Sequence, residues 1–146
     1  MTSKKLQRAR DFEKKYSPYV ASELPKFHVT APIGWINDPN GFAPYKGEYH
    51  LFYQNHPYDV KWGPMHWGHA SSADLLHGEH QPIVMAPDEL GMIFSGSAVC
   101  DIENTAGFGK DGKTPIVAMF THHHHTETGD DYEQQSIAYS LDDGMT

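Results

Sequence analysis

The sequence predicts an all-β protein assembled from a repeated four-stranded unit, the plan of a β-propeller. Three observations carry that prediction. After residue 25, short aromatic and β-branched runs alternate with clusters of Gly, Pro, Asn and Asp, the grammar of antiparallel strands. Some runs are apolar on both faces, as in Ile116-Val117-Ala118-Met119-Phe120, and such strands require burial on both sides. There is also an internal echo between "HASSADLLHGEH", starting at His69, and "AYSLDDGMT", starting at Ala138. Both pass from a small-residue strand to Ser-x-Asp and then to a turn with Gly, at an offset that a repeating four-stranded sheet would give.

The elements follow in order. Residues 3–16 read as a short helix, because Leu6, Ala9, Phe12 and Tyr16 recur three or four apart with charges on the other face. Pro18 and Pro25 are expected to end it, so residues 1–25 form a helix and linker and residues 26–146 the β domain. "GWINDPNGF" at 34–42 has the composition of a tight turn in which Pro39 sets φ and Asn40-Gly41 tolerates positive φ. "EYHLFYQ" at 48–54 follows a Lys46-Gly47 turn and reads as a strand, as do "HWGHASSA" at 66–73 and "HQPIVMA" at 80–86. A second set comprises "MIFSGSAVCDI" at 92–102, "PIVAMFTH" at 115–122 and "QSIAYSL" at 135–141. This second unit is expected to lack its last strand, since the sequence stops at Thr146. Repeat folds need about three units to bury a continuous core, so the chain reads as the N-terminal piece of something longer.

Composition narrows the function. At 38% hydrophobic and 12% aromatic over 146 residues, the chain has material for one modest core. Its net charge of −8, with no basic stripe beyond the first 15 residues, gives no support to a nucleic-acid role. No run approaches about 18 apolar residues, so no membrane span is expected. "MTSKKLQRARDFEKKY" lacks the apolar segment of a signal peptide, and the expectation is a cytoplasmic protein. Cys100 is the only cysteine, which excludes an internal disulfide and reads as a small core residue. The run His122–His125 is read as a loop between strands rather than a metal site, because adjacent strand residues cannot all face one ion. His66 and His69 are expected on opposite faces of their strand.

One constellation stands out. Within "WINDPNG", Asp38 is a carboxylate flanked by large apolar groups, where charge needs partners. "FYQNHP" puts Gln54 and Asn55 at the end of an aromatic strand, "WGPMHWGHA" packs Trp62 and Trp67 beside two histidines, and "FSGSAV" places Phe94 before small residues. Aromatic faces for C–H patches, with amides and carboxylates for hydroxyls, make a sugar site. Each residue has a plainer reading: a turn for Asp38, packing for Trp62, a strand end for Gln54, a buried strand for Phe94 and Ser95.

"WINDPNG" followed in order by "FYQ", "WGHA" and "FSGSAV" resembles glycoside hydrolase family 32, over about residues 26–146. That family holds invertases, fructan hydrolases and sucrose-6-phosphate hydrolases. The resemblance implies a five-bladed β-propeller, of which this chain supplies roughly the first two blades, and a retaining hydrolase of terminal β-D-fructofuranosides that uses no metal or cofactor. Carried over by position, Asp38 matches the catalytic nucleophile. Trp35, Asn37, Gln54, Trp62, Phe94 and Ser95 match substrate-binding positions, while Trp67 and His69 are assigned to packing. The family's acid/base glutamate precedes a cysteine and its transition-state aspartate sits in Arg-Asp-Pro; neither pattern occurs here, so both are expected outside this sequence. The implied partners are sucrose or short β-fructosides and the remainder of the propeller. Two alternatives share these residues: a non-catalytic carbohydrate-binding fragment and a fructosyltransferase of the same architecture.

Overall fold

The computed structural model describes residues 3–126 and 128–146. It contains an N-terminal helix, α1 (Lys4–Val20), and seven strands: β1 (Trp35–Tyr45), β2 (Glu48–His56), β3 (His66–Ser72), β4 (Glu79–Met85), β5 (Met92–Cys100), β6 (Ile116–His125) and β7 (Asp131–Ser140). The strands form two antiparallel sheets, ordered β1-β2-β3-β4 and β5-β6-β7. All-β architecture after a single helix is as the sequence predicts.

Helix α1 is capped by Ser3, whose hydroxyl accepts from the Leu6 N–H at 3.1 Å. Contrary to expectation, it runs through Pro18 for two further residues. A proline near the last turn removes one backbone hydrogen bond and leaves the preceding turns intact. Leu6 and Ala9 bury against Ile83 of β4. Arg10 Nε donates to the Ile83 carbonyl at 2.7 Å and Nη2 to that of Met145, so one guanidinium ties the helix to β4 and to the segment that follows β7. No helix among the described residues is long and apolar enough to cross a membrane.

The main core lies between the sheets. Tyr45, Phe52 and Trp67 of the first meet Ile93, Ala98, Ile116 and Phe120 of the second, with Cys100 packed at the margin. Trp67 sits between Phe52 and Phe120, ring centroids 6.0 and 5.8 Å away. Burying such aromatics contributes on the order of 2–3 kcal/mol each. His69 stacks on Phe52 and is fully buried, and burial pushes its pKa down to about 3. His66, which packs edge-on against Tyr58, is pushed down to about 4. Both are neutral packing groups at neutral pH.

The echo seen in the sequence is geometric. Ser72 Oγ, at the end of β3, accepts from the N–H groups of Asp74 and Leu75. Ser140, at the end of β7, likewise accepts from Asp142 and Gly144. In each turn the aspartate two residues on accepts a further backbone N–H. The same hydroxyl-carboxylate turn thus closes the third strand of both sheets.

His122–His125 are not in a loop. They complete β6, with His122↔Gln134 through His125↔Asp131 in register with β7. Histidine has little strand preference of its own, so the pairing partner decides.

Candidate functional site

The stretch read as a turn is strand throughout. β1 runs from Trp35 to Tyr45 without reversing, so Pro39-Asn40-Gly41 is not a turn. The register explains how strand and turn-like composition coexist. Ile36 pairs with Asn55 and Pro39 with Tyr53, so Asn37 and Asp38 together oppose Gln54 alone. Gly41 then pairs with Phe52, leaving Asn40 as a second extra residue. Two bulges in succession break the ladder, accommodate Pro39 on an edge strand, and re-aim side chains.

The second sheet repeats the device. Ile93 pairs with His122 and Gly96 with Phe120, so Phe94 and Ser95 oppose Thr121 alone. The first strand of each sheet therefore carries such a bulge, and the two bulges face each other. Ser95 Oγ donates to Asp38 Oδ2 at 2.7 Å, across 57 positions of sequence. That bond to a charged acceptor fixes the carboxylate and leaves Oδ1 with no hydrogen bond from the described residues. Asp38 is exposed rather than lodged among apolar groups.

Gly41 makes this approach possible. It has no positive φ; instead, a Cβ there would lie 2.5 Å from Ala98 Cβ and 2.8 Å from Ala98 N. The glycine exists for the close crossing of β1 and β5, not for a turn.

The other predicted residues take distinct places. Trp35 Nε1 donates to Asn37 Oδ1 at 2.7 Å, so these two brace each other beside Asp38. Trp62, in the loop after β2, is 53% exposed and meets Phe94 edge-on at 6.1 Å. The Phe94 carbonyl accepts from Trp67 Nε1 at 3.0 Å, which pins the bulge from below. Gln54 is only 2% exposed, and its Nε2 donates to the Ile93 carbonyl at 2.9 Å. It thereby ties β2 to β5 directly behind the bulges. Asp38, Ser95, Phe94 and Trp62 form one open-faced group, with Asn37 and Trp35 at its rim and Gln54 beneath it.

Sequence reasoning assigned no site role to three contributors. Asn40 is buried; in the orientation that satisfies its neighbours, its side-chain oxygen accepts from Gln54 N and Nε2 and lies 2.9 Å from Trp67 Nε1. Asn55 Nδ2 donates to the carbonyls of Trp35 and Ile33, holding the approach to β1. His123 stacks on Phe94. The asparagines had a signal, since amides inside strand runs need buried partners; the histidine depended on the strand it was not expected to occupy.

Comparison with known proteins agrees with the all-β fold. Residues 28–146 match the family model described as Glycosyl hydrolases family 32 N-terminal domain. A levanase of Bacillus subtilis is 53% identical over 130 residues, which cover 89% of this chain and 18% of the relative. The crystal structure of an exo-inulinase from Aspergillus awamori superposes with a TM-score of 0.71 at 46% identity, over 82% of this chain and 26% of that one. A β-fructofuranosidase from Schwanniomyces occidentalis, complexed with fructosyl-erythritol, does so with a TM-score of 0.72 at 37% identity, over 84% of this chain and 24% of that one. The chain thus spans about a fifth to a quarter of the length of these relatives.

Proposed function

Since the chain belongs to glycoside hydrolase family 32, we propose that it supplies the nucleophile half of a retaining β-fructofuranosidase acting on sucrose or short β-fructosides. The remainder of that enzyme, including the acid/base, lies beyond these residues and completes a five-bladed propeller of which the two sheets here are the first blades. The observation that carries the reading is the Ser95–Asp38 hydrogen bond at the junction of two facing bulges.

The reaction assigns each group a task. Asp38 Oδ1, which accepts no hydrogen bond from the described residues, attacks C2 of the fructosyl unit as the bond from C2 to the leaving oxygen breaks. A glutamic acid about 5 Å away donates its proton to that oxygen, and the leaving sugar departs. Water then attacks C2 of the covalent ester while the glutamate takes its proton, releasing fructose and regenerating the Asp38 carboxylate. Ser95 holds Oδ2, so the nucleophile presents one oxygen in one orientation, and small misplacements at such a centre are costly in rate. Trp62 and Phe94 offer faces to the apolar side of the ring. Asn37 offers its Nδ2 to the hydroxyls while Trp35 holds that amide through its indole N–H, and Gln54 meets the ring only through the atoms that its bond to Ile93 leaves free.

The test is Asp38→Asn in the full-length protein, assayed by release of reducing sugar from sucrose. Turnover should fall by about 10⁴-fold or more, with an unchanged circular dichroism spectrum, because the amide matches the carboxylate in size but is a poor nucleophile. Near-normal rates would overturn the assignment.

A further inference from the structure

The histidine run that closes β6 has no task in the reaction as proposed, yet one member reaches the site. The His123 ring lies parallel to that of Phe94, with an interplanar angle of 2° and centroids 4.3 Å apart. The imidazole does not choose that plane alone. Its Nδ1 lies 3.2 Å from Glu133 Oε1, and Glu133 is its register partner on β7. Its Nε2 lies 3.8 Å from Asp131 Oδ1. The His123 side chain is largely buried, at 13% exposure, while the carboxylates that steer it are half-exposed. Phe94 is therefore held by two neighbours, the stacked ring of His123 and the perpendicular ring of Trp62. Its backbone sits in a bulge, where the ladder does not fix side-chain direction.

We infer that His123, oriented by Glu133, is a positioning residue that sets the plane of Phe94 and thereby the fit of the sugar ring against it. The inference rests on the site reading above and adds a residue to it. His123 touches neither the substrate nor Asp38 in this account; it acts through the ring it supports. A loosened Phe94 weakens contact with the sugar in the ground state and in the transition state alike, so the signature is a change in KM with little change in kcat. A general loss of stability would not produce that split.

The experiment compares His123→Ala, His123→Phe and Glu133→Ala in the full-length protein, with steady-state kinetics on sucrose, a melting temperature for each, and Asp38→Asn alongside. His123→Ala should raise KM about tenfold and leave kcat within about threefold. His123→Phe, which returns a flat face without the carboxylate bond, should restore KM to within about threefold of the parent, and Glu133→Ala should raise it about threefold. A KM unmoved by His123→Ala, or a KM that His123→Phe fails to restore, overturns the inference, whatever the melting temperatures show. If the alanine variant does not fold, an unmoved KM in Glu133→Ala overturns it equally. Loss of turnover in Asp38→Asn with unmoved KM in the other variants overturns this inference alone. Retained turnover in Asp38→Asn overturns the nucleophile reading and this inference with it.

Discussion

At the scale of single residues, two glycines show how differently the same residue type can be required. Gly47 follows Lys46 in the β1–β2 turn at φ +85°, with nothing within 4 Å of where a Cβ would stand. Its requirement is conformational, and Gly47→Ala should cost about 1 kcal/mol. Gly41 has ordinary backbone angles but no space, because Ala98 fills the position a side chain would take. Gly41→Ala must push β1 from β5, and those strands carry Asp38 and Ser95. We expect a loss of about 2–3 kcal/mol by urea denaturation of the full-length protein. Activity should fall further than stability accounts for, because the Ser95 bond to Asp38 lengthens. If Gly41→Ala matched Gly47→Ala in stability and kept full activity, the close crossing would not be what places Asp38, the proposed nucleophile. The importance of residues 34–42 was legible in the sequence, but the reason for Gly41 was not. Asp-Pro-Asn-Gly has the local composition of a turn, and only a strand 57 positions away explains why it stays extended.

At the scale of elements, the strands from β2 onward and the Ser-x-Asp turns could be read because they depend on strand composition and on side chains bonding their own backbone, both local properties. The histidine strand and the bulges depend on register against a neighbour, which composition does not encode. Helix α1 shows a further tertiary effect. Glu13 shares its face with Leu6 and Ala9, and burial lifts its carboxyl from the ordinary range to about 7; the Ile83 N–H and the Arg10 charge pull the other way but do not prevail. The folded state thus holds this proton more tightly than the unfolded chain, whose glutamate titrates near 4.3. Helix docking is strongest below that value and weakens as pH rises toward and through about 7. The effect amounts to about 3–4 kcal/mol at most. Glu13→Gln removes it. The urea midpoint of the parent should therefore fall between pH 5 and pH 8 relative to that of the variant, and parallel profiles would show that Glu13 ionises without penalty.

At the scale of the whole molecule, one sheet face remains to be explained. The inward face of the second sheet, through Ala98, Ala118 and Ala138, meets the core. Its outward face aligns Met119 with Ile137 and Val99 with Val117 and Tyr139. Val99, Met119 and Ile137 are each more than half exposed. A contiguous apolar face on a soluble protein marks a surface that another element covers, and a following blade of the same kind would cover it. The same blades would bring the second carboxyl group, which a retaining mechanism needs about 5 Å from the first. The sequence holds neither Arg-Asp-Pro nor Glu-Cys, and Asp38 has Ser95 as its side-chain partner among the described residues. A nucleophile without an acid leaves the departing oxygen unprotonated, and general acid catalysis alone is worth about 10²–10⁴-fold. Purified residues 1–146 should therefore release no glucose from sucrose above background, while the full-length protein turns over. They should also bind an apolar dye strongly, and Met119→Lys with Ile137→Lys should abolish that binding in the short chain while impairing assembly of the long one. Robust turnover by the short chain would mean that its own carboxylates complete the site, and the missing-half account would fall with it.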